Sequence, residues 1–149
     1  MKKNDRPGVI APPPLIFAGA FGIGYLLRNN FVRFGSPLLG TALAIVGLAI
    51  GSPAFLGMLR AHTNIDPSRP ATALVTSGTF RISRNPLYLS MVLLYVGAAL
   101  SYRLTAALVM LPIALILLHF GVIRREERYL EGKFGDQYRD YRSHVRRWI

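Results

Sequence analysis

The sequence predicts an all-α integral membrane protein with four transmembrane helices, a helical hairpin, and a C-terminal amphipathic cytoplasmic helix. Two observations lead to this prediction. Hydrophobic residues make up 52% of the 149 residues and lie in long blocks, which is the pattern of membrane-spanning helices. The formal net charge of +11 comes from basic residues that border these blocks, where they set topology and contact anionic headgroups. At this length we expect one domain over residues 1–149.

Four apolar blocks define the predicted spans, and these are residues 9–27, 37–59, 87–100 and 104–123. In the first block, Pro12-Pro13-Pro14 suits an initial helical turn, where backbone amides have no intrahelical partner. In the second, Ser36 is predicted to cap the helix and Pro37 to occupy its first position. Because Ser101-Tyr102-Arg103 alone separates the last two blocks, they are predicted to form an antiparallel hairpin. Residues 124–149 then form a cytoplasmic tail.

The charge distribution orients these helices. With the N-terminus in the cytoplasm and four crossings, Arg28, Arg33 and Arg103 are the basic residues left outside, out of 18. All seven acidic residues then lie inside. This asymmetry follows the positive-inside rule and favours four spans over three, with both termini cytoplasmic. The small size suggests the bacterial inner membrane. A soluble helical bundle is the competing interpretation.

The composition argues against several kinds of site. The chain has no cysteine, which excludes a disulfide framework, a thiolate metal site and a cysteine nucleophile. His62, His119 and His144 do not have metal-ligand spacing, so no metal is expected. A basic protein can bind nucleic acid, but here the charge borders apolar segments. We therefore expect membrane lipids, and no nucleic acid, as partners; the sequence does not indicate an oligomeric state.

Two polar clusters at the ends of the hairpin are candidates for a functional site. One is Arg81-Ile82-Ser83-Arg84-Asn85-Pro86-Leu87-Tyr88, directly before the third block. The other is Arg124-Arg125-Glu126-Glu127-Arg128, directly after the fourth. Because a hairpin returns the chain to its starting side, both clusters should meet at one membrane face. The resulting polar pocket at the edge of a bilayer would suit an enzyme that joins a charged cofactor to a lipophilic acceptor.

In the first cluster, Pro86 begins a helix, and the free amides at such an end can bind a carboxylate. Arg81 and Arg84 strengthen this interpretation, although anchoring to lipid phosphates is the alternative for both. Gly78, in the preceding loop, could permit a close backbone approach to a ligand or form a surface turn.

In the second cluster, Glu126 or Glu127 could hold a ligand ammonium or a ribose hydroxyl. Adjacent helical residues point about 100° apart, so one of the two is expected to face a pocket, and the sequence does not say which. The alternative is a plain ion-pair network with Arg124, Arg125 and Arg128.

An apolar stripe continues through the tail at intervals of three or four residues, and its members are Leu130, Phe134, Tyr138, Tyr141, Val145 and Trp148. It predicts an amphipathic segment that lies on the membrane surface, closes the pocket, or does both. Phe134-Gly135-Asp136 predicts a break, with Asp136 as the cap of a new helix.

Four motifs follow one another along the chain: Leu74-Val75-Thr76-Ser77-Gly78-Thr79-Phe80-Arg81, Arg84-Asn85-Pro86-Leu87-Tyr88, Glu126-Glu127-Arg128-Tyr129-Leu130, and Phe134-Gly135-Asp136-Gln137-Tyr138 with Tyr141. In this order, with a short hairpin between them, they resemble the isoprenylcysteine carboxyl methyltransferase family. The related phospholipid N-methyltransferases share the Asn-Pro-x-Tyr and Glu-Glu elements. The resemblance covers about residues 71–145.

This resemblance implies an integral membrane enzyme that uses S-adenosylmethionine, with a cytoplasmic cofactor pocket and a lipophilic acceptor that enters from the bilayer. By motif, the implied cofactor-binding residues are Arg84, Asn85, Pro86, Tyr88, Glu126 and Glu127, with Gly78 and Arg81 as further candidates. No catalytic residue is assigned. Asn85 stands where the carboxyl methyltransferases usually have His and matches the phospholipid enzymes. An isoprenylcysteine carboxylate-like or phospholipid amine-like acceptor is expected.

The expected reaction is direct methyl transfer from S-adenosylmethionine to the lipophilic acceptor. Because the sulfonium makes the methyl electrophilic, the protein mainly needs to align the reactants and exclude water. Two alternatives remain open. One is a nicotinamide-dependent membrane reductase of the sterol-reductase type, which resembles this family in its C-terminal portion. The other is a non-catalytic membrane protein that binds a lipid or a partner.

Overall fold

The computed structural model describes residues 5–149, and this part of the chain is helical with no β-strand. Its six α-helices are α1 (Pro13–Leu26), α2 (Pro37–Arg60), α3 (Pro86–Ser101), α4 (Thr105–Leu118), α5 (Arg124–Phe134) and α6 (Asp136–His144). One turn of π-helix, His119–Ile123, joins α4 to α5 without a break. The prediction of an all-helical protein is confirmed for the described residues.

Two helices are long and apolar enough to cross a membrane. Among the described residues these are α2, with 24 residues, and the continuous helix Thr105–Phe134, with 30 residues. The most apolar 18-residue stretches of the two helices have mean hydropathies of 2.0 and 2.5. The apolar helices α1 and α3 have 14 and 16 residues, or about 21 and 24 Å at 1.5 Å per residue. Both lengths are shorter than a hydrocarbon core, which is about 30 Å thick. The spanning of the membrane by all four helices therefore remains a prediction.

The sequence predicted the start of the second helix correctly but placed the start of the first helix too early. As predicted, α2 begins at Pro37, and the Ser36 side chain accepts a hydrogen bond from the Leu39 amide at 3.3 Å. The first helix begins at Pro13 and not at Val9. The preceding residues form bends and irregular chain, and proline at the first position has no amide hydrogen to leave unpaired.

The helix of the fourth apolar block continues into the tail. It runs past Ile123 to Phe134 without a break, because the Arg and Glu residues that follow are good helix formers. Residues 104–123 stay the predicted membrane span. The helix ends at Gly135, whose φ of +54° is accessible to glycine. The predicted break is therefore present, but Asp136 is the first residue of α6 and Gly135 precedes it as the cap.

The helices pack in two main pairs, α2 with α3 and α1 with α4. Close approach of α2 and α3 depends on glycines, since a Cβ atom on Gly97 would lie 2.7 Å from the Gly40 carbonyl oxygen. The residues between Ser101 and Thr105 connect α3 to α4. The Tyr95 hydroxyl donates to the Ala107 carbonyl at 2.7 Å and ties these two helices together, as the predicted hairpin requires.

The segment before α1 and the tail lie at one end of the bundle. The Ile10 amide donates to the Gly121 carbonyl at 3.1 Å. Arg125 Nη1 donates to the Gly8 carbonyl at 2.7 Å. These contacts pin the segment before α1 against the π turn and α5, at the end of the bundle where the two polar clusters meet.

Candidate functional site

The two polar clusters come together as the hairpin predicts. Pro86 begins α3 with Asn85 before it, and the hydroxyl of Tyr88 in the first turn donates to Glu126 Oε2 on α5 at 2.7 Å. Arg84 Nη1 lies 3.2 Å from Glu127 Oε1. Residues about forty positions apart in sequence therefore share one site.

Two adjacent cavities lie between the clusters, with volumes of about 360 Å³ and about 70 Å³. Arg84, Asn85 and Glu126 line both cavities. The larger cavity is otherwise mostly apolar, and its walls include Pro12, Pro13, Pro14, Met58, Ile65, Pro86, Leu87 and Met91. The smaller cavity also contacts Glu127 and the tail. Charged side chains and apolar side chains thus line the same larger cavity.

Glu126 is the carboxylate that faces both cavities. Among residues 5–149, the Tyr88 hydroxyl is its hydrogen-bond donor, and no Lys, Arg or His side chain lies within ion-pair distance of it. A buried carboxylate without a cation is costly, because burial removes its hydration without replacing it by an ion pair. Glu126 consequently has acceptor capacity left for a donor or a cation from a ligand.

Glu127 is held instead in an ion-pair network. Arg147 donates to both of its oxygens, from Nε at 2.9 Å and from Nη2 at 2.7 Å. This is the two-pronged geometry in which guanidinium–carboxylate pairs are strongest. The side chain of Glu127 is 14% exposed and lines the smaller cavity but not the larger. The structure thereby distinguishes the two neighbouring glutamates, which the sequence could not.

The proposed ion-pair network with the neighbouring arginines is wrong. Arg125 donates to the Gly8 carbonyl, and Arg128 Nε donates to the Arg124 carbonyl at 3.2 Å. The Arg124 guanidinium lies 5.6 Å from the centre of the Phe120 ring. These three side chains lie on the exposed face of α5, while the partners of the glutamates come from residues distant in sequence.

Arg84, in the first cluster, has a donor that no described residue uses. Its side chain is 11% exposed, and Nη1 lies 3.4 Å from the Tyr138 hydroxyl as well as beside Glu127. Its Nε is buried and has no hydrogen-bond partner in the described part of the chain. Since buried donors are normally satisfied, this atom marks Arg84 as a candidate for binding an anionic group of a ligand.

Asn85 is anchored by the residues that follow α6. Its Nδ2 donates to the Arg147 carbonyl at 3.0 Å. Ser83 Oγ donates to the same carbonyl at 3.2 Å, and the Arg84 amide donates to the Arg146 carbonyl at 3.0 Å. These contacts could not be predicted from the sequence, because a hydrogen bond to a main-chain carbonyl has no side-chain signature.

Tyr138 and Tyr141 on α6 cover the smaller cavity. They are 1% and 8% exposed, and the Tyr141 hydroxyl donates to the Phe80 carbonyl at 2.7 Å. Burial raises the pKa of Tyr138 to about 12 and raises the pKa of Tyr141 as well. Both phenols are therefore neutral at physiological pH. The apolar stripe of the tail closes the site at these two positions, while its contact with a membrane surface remains a prediction.

The structure does not bring Gly78 and Arg81 to the cavities. They begin and end a short 3₁₀ turn, both are exposed, and Gly78 has a φ of +62°. Glycine is favoured there because the turn needs a positive φ. The role of these two residues as cofactor contacts stays a prediction to which the geometry adds no support.

The loop between α2 and α3 contributes residues that the sequence analysis did not single out. Thr63 Oγ1 accepts hydrogen bonds from the Thr72 and Ala73 amides at 3.1 and 3.3 Å, and this folds the loop back on itself. The fold places Asp66 at the larger cavity. The hydrogen bond from Ser68 Oγ lowers the pKa of Asp66 below its usual value, so this carboxylate is ionised.

Within residues 5–149, no group of three or more His, Cys, Asp or Glu side chains could hold a metal ion. His119 lies apart from the two cavities, in a groove with Leu89 and Trp148.

Known proteins share the part of the chain that carries this geometry. A family model described as phospholipid methyltransferase matches residues 36–137, which include both polar clusters and the helices that hold them. An uncharacterized protein of Haemophilus influenzae is 40% identical over 63 residues, which are 42% of this chain and the whole of that protein. No solved structure matches the chain significantly. Because the family match spans more than half of the chain and agrees with the resemblance seen in the motifs, this chain belongs to the phospholipid methyltransferase family.

Proposed function

We propose that this protein is a membrane methyltransferase that transfers a methyl group from S-adenosylmethionine to a lipophilic acceptor from the bilayer. The observation that carries the proposal is Glu126, a carboxylate bonded to Tyr88 and without a cation partner in the described residues, facing cavities that it shares with Arg84. Family membership supports the reaction class. The mixed polar and apolar walls support a charged cofactor and an apolar acceptor in one place.

The residues of the site fit the charged groups of this cofactor. S-adenosylmethionine carries an ammonium, a carboxylate and ribose hydroxyls. Glu126 would accept hydrogen bonds from the ammonium or a ribose hydroxyl, and Arg84, with its unpartnered Nε, would bind the carboxylate. The larger cavity, at about 360 Å³, falls within the roughly 300–1,000 Å³ typical of small-molecule sites.

The work of this chain in the reaction is alignment and exclusion of water. Bound S-adenosylmethionine supplies an electrophilic methyl group through its sulfonium. Tyr88 orients the Glu126 carboxylate by a 2.7 Å hydrogen bond, and the prolines before and within the first turn of α1 supply an apolar wall to the same cavity. Holding two reactants at attack distance in a dry site is a large part of what direct displacement requires.

The apolar surroundings support an acceptor that arrives from lipid. The larger cavity shares Pro14 and Met91 with an open groove of about 550 Å³ between α1 and α3. Aromatic side chains, among them Phe17 and Phe21, line this groove. A hydrocarbon chain lying in the groove would place its head group at the larger cavity. The proposed acceptor therefore reaches the cofactor without leaving the apolar phase.

A phospholipid amine is the acceptor class that we place first, ahead of an isoprenylcysteine-like carboxylate. The family description names phospholipids, and Asn85 agrees with that branch of the resemblance. The larger cavity is lined by two carboxylates, Glu126 and Asp66, and by one guanidinium, that of Arg84. This balance favours a cationic head group over an anionic one.

Ligand-dependent stability of the detergent-solubilised protein tests the cofactor. S-adenosylhomocysteine at a hundred times its dissociation constant should add about 2.7 kcal/mol to the free energy of unfolding. Glu126→Gln should remove most of this gain. Glu131→Gln is the matched control, because Glu131 lies on the same helix, pairs with Arg142 at 2.9 Å and lines neither cavity.

The possible results separate the alternatives. No stabilisation of folded wild-type protein by saturating S-adenosylhomocysteine would refute the proposal. Stabilisation by reduced nicotinamide adenine dinucleotide phosphate, and not by S-adenosylhomocysteine, would favour the reductase. Full stabilisation of the Glu126→Gln variant by S-adenosylhomocysteine would show that Glu126 does not bind the cofactor.

Labelled methyl transfer tests the acceptor. The purified protein, in vesicles that contain phosphatidylethanolamine, should move label from S-adenosylmethionine into the phospholipid. A farnesylated cysteine derivative offered in the same vesicles is the comparison. Label in the prenylated compound alone would reverse the order of acceptors, and label in neither, despite cofactor binding, would count against both acceptor classes.

A further inference from the structure

The residues after α6 bring a second guanidinium to Glu127. Arg147 occupies both carboxylate oxygens, at 2.9 and 2.7 Å, and Arg84 Nη1 approaches one of the same oxygens at 3.2 Å. Arg147 alone is sufficient to satisfy the carboxylate in two-pronged geometry. The longer contact from Arg84 is therefore an addition and not the bond that holds Glu127.

The charges of these three groups do not cancel. Two guanidiniums contact one carboxylate, so Glu127 leaves one positive charge of this network without an ion pair. The Glu126 carboxylate lines the same cavity but lies beyond ion-pair distance of both guanidiniums in the described residues. Arg84 is the cation that lines both cavities, and its Nε is buried without a hydrogen-bond partner in the described residues. If Arg147 were absent, Glu127 would pair with Arg84 and consume that charge. The side chains of Arg84 and Glu127 are 11% and 14% exposed, so solvent screens their attraction poorly.

We infer that Arg147 is a positioning residue, which neutralises Glu127 and so keeps the Arg84 guanidinium available for the carboxylate of the bound cofactor. This inference rests on the proposed function, since it names the ligand group that Arg84 binds. Arg147 itself lines neither of the two cavities and acts through its partner.

The main chain fixes Arg147 where this role requires it. Its carbonyl oxygen accepts hydrogen bonds from Asn85 Nδ2 and Ser83 Oγ, so the residue is tied to the start of α3 as well as to α5. Trp148 packs against the buried core beside it. The family match covers residues 36–137, so Arg84 and Glu127 lie within it and Arg147 lies beyond it.

Titration calorimetry with S-adenosylhomocysteine tests the inference on the full-length protein in detergent. Arg147→Ala should weaken binding by about tenfold or more, because Glu127 then recruits Arg84. Adding Glu127→Gln to that variant should restore the affinity to within about threefold of wild type, because the competing charge is gone. Arg142→Ala is the matched control, since Arg142 joins α6 to α5 through Glu131 and its loss should leave binding unchanged.

The double variant separates positioning from plain structural support. Arg147→Ala and the double variant lack the same contacts of the guanidinium, so a structural role predicts equal weakness in both, and that result would overturn the inference. Wild-type affinity in Arg147→Ala would also overturn it. Absence of binding to wild-type protein would refute the proposed function and this inference together. If Arg147→Ala does not fold, Arg147→Lys decides: near wild-type affinity supports a role for charge, and a tenfold loss overturns it.

Discussion

Two tyrosines on α3 allow the hydrogen bond at the centre of the site to be weighed against a matched neighbour. Tyr88 donates to Glu126 Oε2 and Tyr95 donates to the Ala107 carbonyl, both at 2.7 Å. The residues are 7% and 5% exposed. Phe substitution removes the same hydroxyl from the same helix in each case. The two bonds differ in their acceptor, which is a carboxylate for Tyr88 and a neutral carbonyl for Tyr95.

The expected costs follow from that difference. A hydrogen bond between neutral groups contributes about 0.5–1.5 kcal/mol to stability, and one to a charged group about 1.5–3 kcal/mol. We therefore expect Tyr88→Phe to lower the free energy of unfolding by about 1 kcal/mol more than Tyr95→Phe does. In a Glu126→Gln background the acceptor is neutral, and the cost of Tyr88→Phe should fall to that of Tyr95→Phe.

Equilibrium unfolding in detergent, followed by circular dichroism, measures these costs in wild type, the single variants and the Tyr88→Phe/Glu126→Gln double variant. The cycle isolates the pairwise contribution, because the rest of the chain is common to all variants. Equal costs for Tyr88→Phe and Tyr95→Phe would show that Glu126 is not an ionised acceptor. That result would refute its role as an anionic contact for the cofactor.

Three further predictions concern stability. Gly40→Ala should lower the free energy of unfolding by about 1–3 kcal/mol, because the added Cβ would meet the backbone of α3. Gly19→Ala is the control and should be neutral or stabilising, because nothing lies within 4 Å of its added Cβ. Equal thermal shifts in the two variants would contradict the helix packing. Ser36→Ala should lower the free energy of unfolding by about 1 kcal/mol, because Ser36 caps α2. Ser36→Asn should lower it much less, because asparagine is also a good cap. Identical melting temperatures of both variants would contradict the cap. Burial raises the pKa of Tyr138 to about 12 in the folded protein, against about 10 in the unfolded chain. The contribution of the neutral phenol to the free energy of unfolding is therefore complete below pH 10 and lost between pH 10 and 12. Thermal unfolding across this window should show a smaller loss of stability in Tyr138→Phe than in wild type.

The helices could be predicted from sequence wherever local chemistry decides. Long apolar blocks located the helical segments, and Ser36-Pro37 located the start of α2. Local chemistry also carries the fourth helix into the charged stretch that follows its apolar block, since Arg and Glu favour helices, and Gly135 ends it. What local chemistry does not decide is where the side chains of that stretch find partners, because those partners lie elsewhere in the chain.

For the site, the sequence predicted the meeting of the clusters but not the roles within them. The short connection between α3 and α4 makes the meeting of Tyr88 and Glu126 a consequence of chain geometry. Pairing of the glutamates with neighbouring arginines was one of two alternatives, whereas the structure brings Arg147 to Glu127 from the far end of the tail. That pair lies twenty positions apart in the sequence, and no local pattern encodes the contact.

The sequence by itself determined that the chain is helical and rich in membrane-compatible segments. It also determined that the motifs in its two polar clusters resemble those of one methyltransferase family. These properties follow from hydropathy, capping residues and motif order, which act over a few turns of chain. Only the tertiary structure decided that Glu126 faces the cavities, that Arg147 binds both oxygens of Glu127, and that Arg84 keeps a donor without a partner among residues 5–149. Those outcomes depend on which charge lies within a few ångströms of which, and packing between distant elements sets such distances.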